Sequence, residues 1–192
     1  MKNKNYYVPL MLIFCLFFLW AISSNLLPTM IRQLMKTCEL NAFEASFTET
    51  AYWLAYFICP IPIAMFMKKY SYKSGIIFGL LLAACGGLLF FPAAMLKEYW
   101  AYLCIFFIIA TGMCFLETAA NPYSTILGPK ESGAQRLNLS QSFNGLGWIL
   151  GPLVGGMLIF GGEESDPFTL TKPYILVGSV VLLVAILFIF TK

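Results

Sequence analysis

The sequence predicts an all-α polytopic membrane protein with six transmembrane helices. Of its 192 residues, 60% are hydrophobic and only 11% are charged, and the mean hydropathy is +0.80. A soluble domain carries about 25% charged residues, so these few charges cannot cover a surface that faces water. Nearly all of them fall between long apolar runs, as expected when the runs cross a lipid bilayer.

Six apolar runs are candidate membrane spans. Each is long enough to cross roughly 30 Å of hydrocarbon as a helix that rises about 1.5 Å per residue. They extend over about Tyr7–Leu34, Thr48–Met67, Gly75–Leu96, Tyr99–Tyr123, Leu137–Phe160 and Pro173–Phe190. The first run lacks a small-residue cleavage site, so we expect a retained span rather than a signal peptide. Residues 1–192 are therefore expected to form a single six-helix bundle.

The distribution of Lys and Arg predicts which side of the membrane each loop occupies. The N-terminus, the second loop, the fourth loop and the C-terminus carry eight of the twelve basic residues, namely Lys2, Lys4, Lys68, Lys69, Lys73, Lys130, Arg136 and Lys192. The other three loops carry Arg32, Lys36, Lys97 and Lys172. Because basic residues are enriched on the cytoplasmic side, both termini are predicted to be cytoplasmic.

Composition also excludes several classes of function. The chain has no His, which removes His-based acid–base chemistry and most zinc sites. Its six Cys form no CxxC pair, so we expect neither a disulfide nor a metal site. A net charge of +3 without a basic run gives no reason to expect nucleic acid as a partner. No catalytic constellation appears and no acids are paired within the spans, so an enzyme and a bound cofactor are not expected.

Glu117 is the residue of greatest functional interest, because it lies deep in the fourth predicted span. A carboxylate at the centre of a membrane helix costs about 2.5–3.5 kcal/mol on insertion scales. It must therefore face a cavity or a polar partner, or remain protonated. Acids within membranes usually have a function, and a group that exchanges protons is the favoured interpretation. The alternative is a protonated acid that hydrogen-bonds another helix.

Other polar side chains lie in spans that can border the same space as Glu117. They are Trp20 and Asn25 in the first span, Asn121 in the fourth, and Gln141 and Asn144 in the fifth. Amides both donate and accept hydrogen bonds, which suits a polyhydroxylated ligand, and Trp20 can supply an apolar ring face. Taken one by one, these amides are equally compatible with hydrogen bonds between helices. Together with Glu117 they favour a polar central cavity.

Proline and glycine positions predict where helices break and where they pack closely. Pro60 and Pro62 are expected to interrupt the second span, and Pro122 to end or kink the fourth. In the fifth span, Gly147, Gly151 and Gly155 recur every four residues. This spacing places them on one helix face, where a neighbouring backbone can approach closely. A flexing point in a moving helix is the alternative interpretation.

Three groups of residues resemble a known family. They are Phe17-Phe-Leu-Trp20; Met65-Phe-Met-Lys-Lys-Tyr-Ser-Tyr-Lys-Ser-Gly75; and Leu116-Glu-Thr-Ala-Ala-Asn-Pro-Tyr123 with Leu127-Gly-Pro129 and Arg136-Leu-Asn-Leu-Ser-Gln-Ser-Phe-Asn144. The chain resembles the N-terminal half of the sugar:cation symporters of the major facilitator superfamily, the group of the fucose permeases and the glucose/galactose transporters. The resemblance implies half of a fold built from inverted repeats of three helices, in a bacterial inner membrane.

The resemblance also implies roles for individual residues. Glu117 is expected to take part in sugar recognition and coupling, and Asn25, Gln141 and Asn144 to line the cavity, with Asn121 and Trp20 beside them. The basic loop of Lys68, Lys69 and Lys73 is expected to help hold a cytoplasmic gate. The coupling ion implied is H⁺, with Na⁺ as the alternative.

Two departures from the family pattern affect these expectations. The fucose permeases carry an Asp late in the first helix that is linked to proton coupling, whereas the matching position here is Pro28. The family also has two six-helix halves, and this sequence corresponds to one. The second half is expected as a continuation, a separate chain or a second copy; a non-transporting scaffold, accessory subunit or gene remnant is the competing hypothesis.

Overall fold

The computed structural model describes residues 7–96, 98–160 and 171–190, and within them every regular element is helical. The helices are α1 (Tyr7–Asn25), α2 (Leu27–Thr37), α3 (Ala42–Ile58), α4 (Pro60–Lys69), α5 (Tyr72–Leu96), α6 (Tyr99–Ile126), α7 (Gly133–Phe160) and α8 (Thr171–Phe190). A short 3₁₀ turn, Lys130–Ser132, precedes α7. Four basic residues used for the topology prediction, Lys2, Lys4, Lys97 and Lys192, lie outside the described residues.

Four stretches of the described chain are helical, long and apolar enough to cross a membrane. They are Tyr7–Thr37, which contains α1 and α2, together with α5, α6 and α8. The pair α3 and α4 makes a fifth if the two helices form one bent span. Helix α7, which contains the fifth predicted span, has 28 residues but many polar ones in its first half, and it does not reach the same apolarity. The number six therefore stays a prediction.

Prolines break the described helices at one expected place and at one that was not expected, and they leave a third place continuous. Helix α3 ends at Ile58 and α4 begins at Pro60, with a bend of 43° between them, as predicted. The first span is divided at Leu26, just before Pro28, which has no N–H to donate to the preceding turn. Pro122, in contrast, does not end its helix, because α6 continues to Ile126.

Arg136 joins the end of α6 to the start of α7. Helix α7 begins at Gly133, so this residue lies in the first helical turn and is only 6% exposed. Its guanidinium donates to the carbonyl oxygens of Ser124 (3.1 Å), Thr125 (2.7 Å) and Pro129 (2.9 Å) and to the hydroxyl of Ser132 (2.6 Å). Carbonyls at the end of a helix lack partners within the helix, and Arg136 supplies them. It is a structural clamp rather than the loop charge that the sequence suggested.

The glycine face of α7 packs directly against α1 and the start of α2, as the four-residue spacing predicted. A Cβ added at Gly147 would lie 2.6 Å from the Cβ of Ala21 and 2.6 Å from the carbonyl oxygen of Phe18. At Gly151 it would lie 2.9 Å from the Cβ of Asn25, and at Gly155 it would meet Leu26 at 2.7 Å. These distances leave no room for a side chain, so the interpretation as close packing is confirmed.

Glycines also bring α5 against two other helices on the opposite side of the bundle. A Cβ at Gly79 would lie 2.9 Å from the carbonyl oxygen of Gly112 in α6. A Cβ at Gly87 would approach the Cα of Gly178 in α8 to 3.0 Å. Beside this second contact, the rings of Phe90 and Tyr174 stack with centroids 4.2 Å apart. These contacts form a tightly packed side of the bundle.

Substituting one glycine of α7 tests the close contact with α1. Gly147→Ala introduces a methyl group against Ala21 and the backbone of Phe18, so we expect it to destabilise the protein by about 1–3 kcal/mol. Gly145→Ala is the matched control, because no atom lies within 4 Å of a Cβ at Gly145. The Tm of the purified protein in detergent should fall for the first variant only. Equal Tm values for the two variants would contradict the packing described.

The clamp at Arg136 can be tested with a variant that keeps the charge. Arg136→Lys replaces a planar group that donates in several directions by a single ammonium. We expect a loss of at least about 1.5–3 kcal/mol, the range for one hydrogen bond that involves a charged group. Arg32→Lys is the control, since Arg32 is exposed and is the other Arg in the chain. A Tm for Arg136→Lys as high as that of the control would argue against the clamp.

Candidate functional site

A cavity of about 530 Å³ lies between α1, α2, α3, α6 and α7. Its volume is in the range of about 300–1,000 Å³ that is usual for small-molecule sites. The residues that line it are mostly apolar or aromatic, with a few polar groups: Trp20, Ala21, Ser24, Asn25, Leu27, Pro28, Glu49, Trp53, Tyr56, Glu117, Asn144 and Trp148. Four of the six predicted cavity residues are among them.

Glu117 reaches the cavity from the middle of α6 and is partly buried. Its carboxylate forms no hydrogen bond or ion pair with any part of the chain that the structure describes. The side chains of Tyr52 and Tyr56 in α3 lie within electrostatic range of it. The group is therefore held in the cavity wall with its acceptor oxygens available to a ligand.

Two hydrogen bonds connect α1 to α3 along the wall of the cavity. The indole N–H of Trp20 donates to the hydroxyl of Tyr56 at 3.1 Å. The hydroxyls of Ser24 and Tyr52 are 2.9 Å apart. Both bonds orient aromatic rings whose polar ends would otherwise be buried without partners, so the indole of Trp20 presents its ring to the cavity in a set position.

Asn25 and Asn144 line the cavity and are tied to backbone carbonyls of α1. Nδ2 of Asn25 donates to the carbonyl oxygen of Ala21 at 2.8 Å, and Nδ2 of Asn144 donates to that of Phe17 at 3.2 Å. Each residue is 8% exposed. Among the described residues, neither side-chain oxygen has a hydrogen-bond donor. Each amide thus combines an anchored N–H with an oxygen that can accept a bond from a ligand.

Gln141 and Asn121, also predicted as cavity residues, do not line the cavity in the described structure. They bond to each other instead: Nε2 of Gln141 donates to Oδ1 of Asn121 at 3.1 Å. Asn121 in turn donates to the carbonyl oxygen of Glu117 at 2.9 Å. The pair links α6 to α7 one helical turn from Glu117. In this structure the two amides therefore form a hydrogen bond between helices, which was the alternative interpretation.

The three lysines of the predicted gate loop lie at the junction of α4 and α5. Lys68 and Lys69 end α4 and are exposed, and Nζ of Lys69 lies 5.1 Å from the ring centroid of Tyr70. Lys73 donates to the carbonyl oxygen of Ile189, near the end of α8, at 3.5 Å. Lys68 borders a groove that it shares with Thr118 of α6. The loop therefore contacts α8 through Lys73 and borders a groove beside α6 at Lys68.

Eight of the twelve lining residues were not predicted from the sequence, and four of these eight carry a charged or aromatic side chain. Glu49, Trp53 and Tyr56 follow the spacing i, i+4 and i+7 along α3, which places them on one face. Trp148 lies four residues after Asn144 on α7. This spacing was readable in the sequence, but Glu49 lies at the start of the second predicted span and was not singled out.

The chemistry of the lining suits a ligand with both apolar faces and hydroxyl groups. Three of the four tryptophans of the chain, Trp20, Trp53 and Trp148, border the cavity. Carboxylates and amide oxygens accept hydrogen bonds from hydroxyl groups. No Lys or Arg is among the lining residues that the structure describes. An aromatic cavity with a few polar groups in set positions is typical of a site for a small molecule.

Comparisons with known proteins identify the family to which the chain is similar. The model of the Major Facilitator Superfamily matches residues 10–192. The chain is 40% identical to the L-fucose-proton symporter of Escherichia coli over its whole length, which is 48% of that protein. It is 36% identical to a glucose/galactose transporter of Brucella abortus, again over the whole chain and 48% of the relative. The chain thus spans about half the length of the curated relatives it matches.

Solved structures give the same picture at the level of the fold. The crystal structure of a transporter of this superfamily, FucP, in the outward conformation matches with a TM-score of 0.84 and 40% identity. The match covers 98% of this chain and 50% of that one. The structure of a variant of the Escherichia coli fucose:proton symporter matches with a TM-score of 0.82 over the same shares.

Removing one hydroxyl tests the orientation of Trp20. Tyr56→Phe deletes the acceptor of the indole N–H, so we expect a loss of about 0.5–1.5 kcal/mol, the usual net value of one hydrogen bond. Trp20→Phe removes the donor, and the double variant should lose less stability than the sum of the two single losses, because each single variant already breaks the same bond. Tyr70→Phe, at an exposed site on α4's C-cap, is the control for Tm measurements in detergent. Full additivity in the double variant would show that the bond contributes nothing.

Proposed function

The chain belongs to the major facilitator superfamily, and from this premise we propose that it is the N-terminal half of a sugar transporter that works by alternating access. The substrate is a hexose or deoxyhexose of the fucose, glucose or galactose type, and it moves together with a proton. The identity of 40% to an L-fucose-proton symporter along the whole chain supports the substrate class and the coupling ion. The 36% identity to a glucose/galactose transporter supports the wider group of sugars.

One observation supports this function most directly: the Glu117 carboxylate faces the cavity with no partner among the described residues. In a transporter of neutral sugars, such a group accepts hydrogen bonds from sugar hydroxyls and exchanges a proton. Bonds to an ionised acceptor are about twice as strong as neutral ones. Glu117 therefore supplies both affinity and a means of coupling the sugar to protonation.

The other polar residues have supporting roles in this proposal. Asn25 and Asn144 offer side-chain oxygens to the sugar, and Trp20 offers a ring face. The bonded pair Asn121 and Gln141 lies one turn from Glu117 and enters the site when α6 and α7 separate during transport. The breaking of their 3.1 Å bond frees both amides for the sugar.

The membrane arrangement is proposed from the family and the charge distribution. The chain forms six spans, arranged as two inverted repeats of three helices, within one bundle over residues 1–192. Both termini lie in the cytoplasm of a bacterial cell, and the chain resides in the inner membrane. Lys68, Lys69 and Lys73 then lie at the cytoplasmic end, where they hold the gate closed while the cavity is open to the outside.

A second six-helix unit is the partner that the proposal requires. The relatives are about twice as long as this chain, and sugar sites of this fold lie at the interface of two halves near the bilayer midplane. The cavity on this chain is thus one wall of the site. A second half, or a second copy of the chain, supplies the other wall.

The role of Glu117 is tested by Glu117→Gln in the complete transporter, expressed in cells that lack their own hexose uptake. We expect uptake of radiolabelled L-fucose, D-glucose or D-galactose to fall about tenfold to a hundredfold, the equivalent of one hydrogen bond to a charged group. Residual uptake should respond less steeply to a lowered external pH, because Gln cannot bind a proton.

The control for this experiment is Glu131→Gln, which removes an exposed acid in the 3₁₀ turn before α7. Its uptake and its pH dependence should match those of the unaltered protein. If Glu117→Gln transports with unchanged rate and pH dependence, the role given to Glu117 is wrong. If the unaltered protein carries none of the three sugars, the proposed substrate class is wrong.

A further inference from the structure

Glu49 is a second carboxylate in the cavity, contributed by a different helix from that of Glu117. It lies on the face of α3 that also carries Trp53 and Tyr56, at spacings of four and seven residues, and all three line the cavity. Glu49 and Trp53 also border an adjoining groove, together with Ser46 and Phe57. Glu49 therefore stands where the cavity meets a second, more open space.

The two carboxylates lie at different levels of the cavity. Glu49 precedes Tyr56 by seven residues, which corresponds to about 10 Å along the axis of α3. Glu117 lies within electrostatic range of both Tyr52 and Tyr56, so it faces the part of α3 that follows Glu49 in the chain. Glu49 is exposed whereas Glu117 is partly buried. Water can therefore reach Glu49 directly, while a ligand inside the cavity would cover Glu117.

No basic residue neutralises Glu49 among the described residues, and it has no hydrogen-bond or ion-pair partner there. Around it, α6 presents Glu117 and, at its N-terminal end, Tyr99, whose hydroxyl donates to the carbonyl oxygen of Glu44 at 2.7 Å. Helix α2 presents Arg32, which lines a separate groove beside Pro28. Helices α1 and α7 present only uncharged side chains to the cavity. No basic side chain therefore offsets the negative charge of Glu49 and Glu117 among the described residues that line the cavity.

We propose that Glu49 is the residue that loads the coupling proton, and that Glu117 is the sugar ligand. This inference rests on the proposed function and divides its two tasks between two acids. When the cavity is open, the Glu49 carboxylate takes a proton from water and forms an O–H bond. After the cavity opens to the other side, that bond breaks and the proton returns to water there. One proton crosses for each cycle, and the carboxylate is regenerated.

The test uses Glu49→Gln in the complete transporter, reconstituted in vesicles and assayed with labelled L-fucose, D-glucose and D-galactose. With the membrane potential held at zero, a gradient of one pH unit supports at most about tenfold accumulation if one proton moves with each sugar. We expect the unaltered protein to approach that value and Glu49→Gln to accumulate no sugar above the external concentration. Exchange of labelled for unlabelled sugar, without a gradient, should persist in Glu49→Gln and be lost in Glu117→Gln.

Two further variants make the result specific. Glu44→Gln lies on the same helix outside the cavity and keeps a side chain that can complete the capping box with Asn41; it should accumulate sugar normally. Glu49→Asp keeps a titratable group and should restore accumulation. Normal accumulation by Glu49→Gln, or loss of exchange together with accumulation, would overturn the assignment. If the unaltered protein neither accumulates nor exchanges any of the sugars, the proposed function itself fails.

Discussion

The close contact of α7 with α1 is the constraint on which the cavity depends. Gly147 and Gly151 bring the α7 backbone so close to Ala21 and Asn25 that no methyl group would fit between the two helices. In a bilayer, helices associate through van der Waals packing rather than through hydrophobic burial, so a lost contact of this kind has no replacement. The same approach brings Asn144 to the carbonyl of Phe17 and sets one wall of the cavity.

The opposite wall depends on hydrogen bonds between side chains. Trp20 and Ser24 of α1 bond to Tyr56 and Tyr52 of α3, and these bonds hold the face of α3 toward the cavity. Glu117 enters from α6 between the two walls. Most polar groups at this depth are used to hold helices together, which leaves the two carboxylates and the two Asn oxygens for a ligand.

Sequence reasoning identified the site in part, and the particular successes and failures have a physical pattern. Glu117 could be found because an acid within an apolar helix is costly wherever the helix lies. The sequence could not separate the amides that line the cavity from those that bond to each other. Asn121 and Gln141 have the same chemistry as Asn25 and Asn144 and differ only in their neighbours in the fold. Glu49 was missed because a residue at a span end belongs equally to a loop and to a cavity rim. Arg136 was taken for a loop charge, since a guanidinium that caps carbonyls leaves no local pattern.

The sequence by itself determined the helical membrane class, the break at Pro60, the close-packing face of α7 and the presence of one acid within an apolar helix. Each of these follows from residues near one another in the chain, through helix geometry and the cost of polar groups in lipid. Only the tertiary structure decided which polar side chains share a cavity and which bond to each other. That choice depends on how each helix is rotated against its neighbours, and this rotation is set by contacts between residues far apart in the chain.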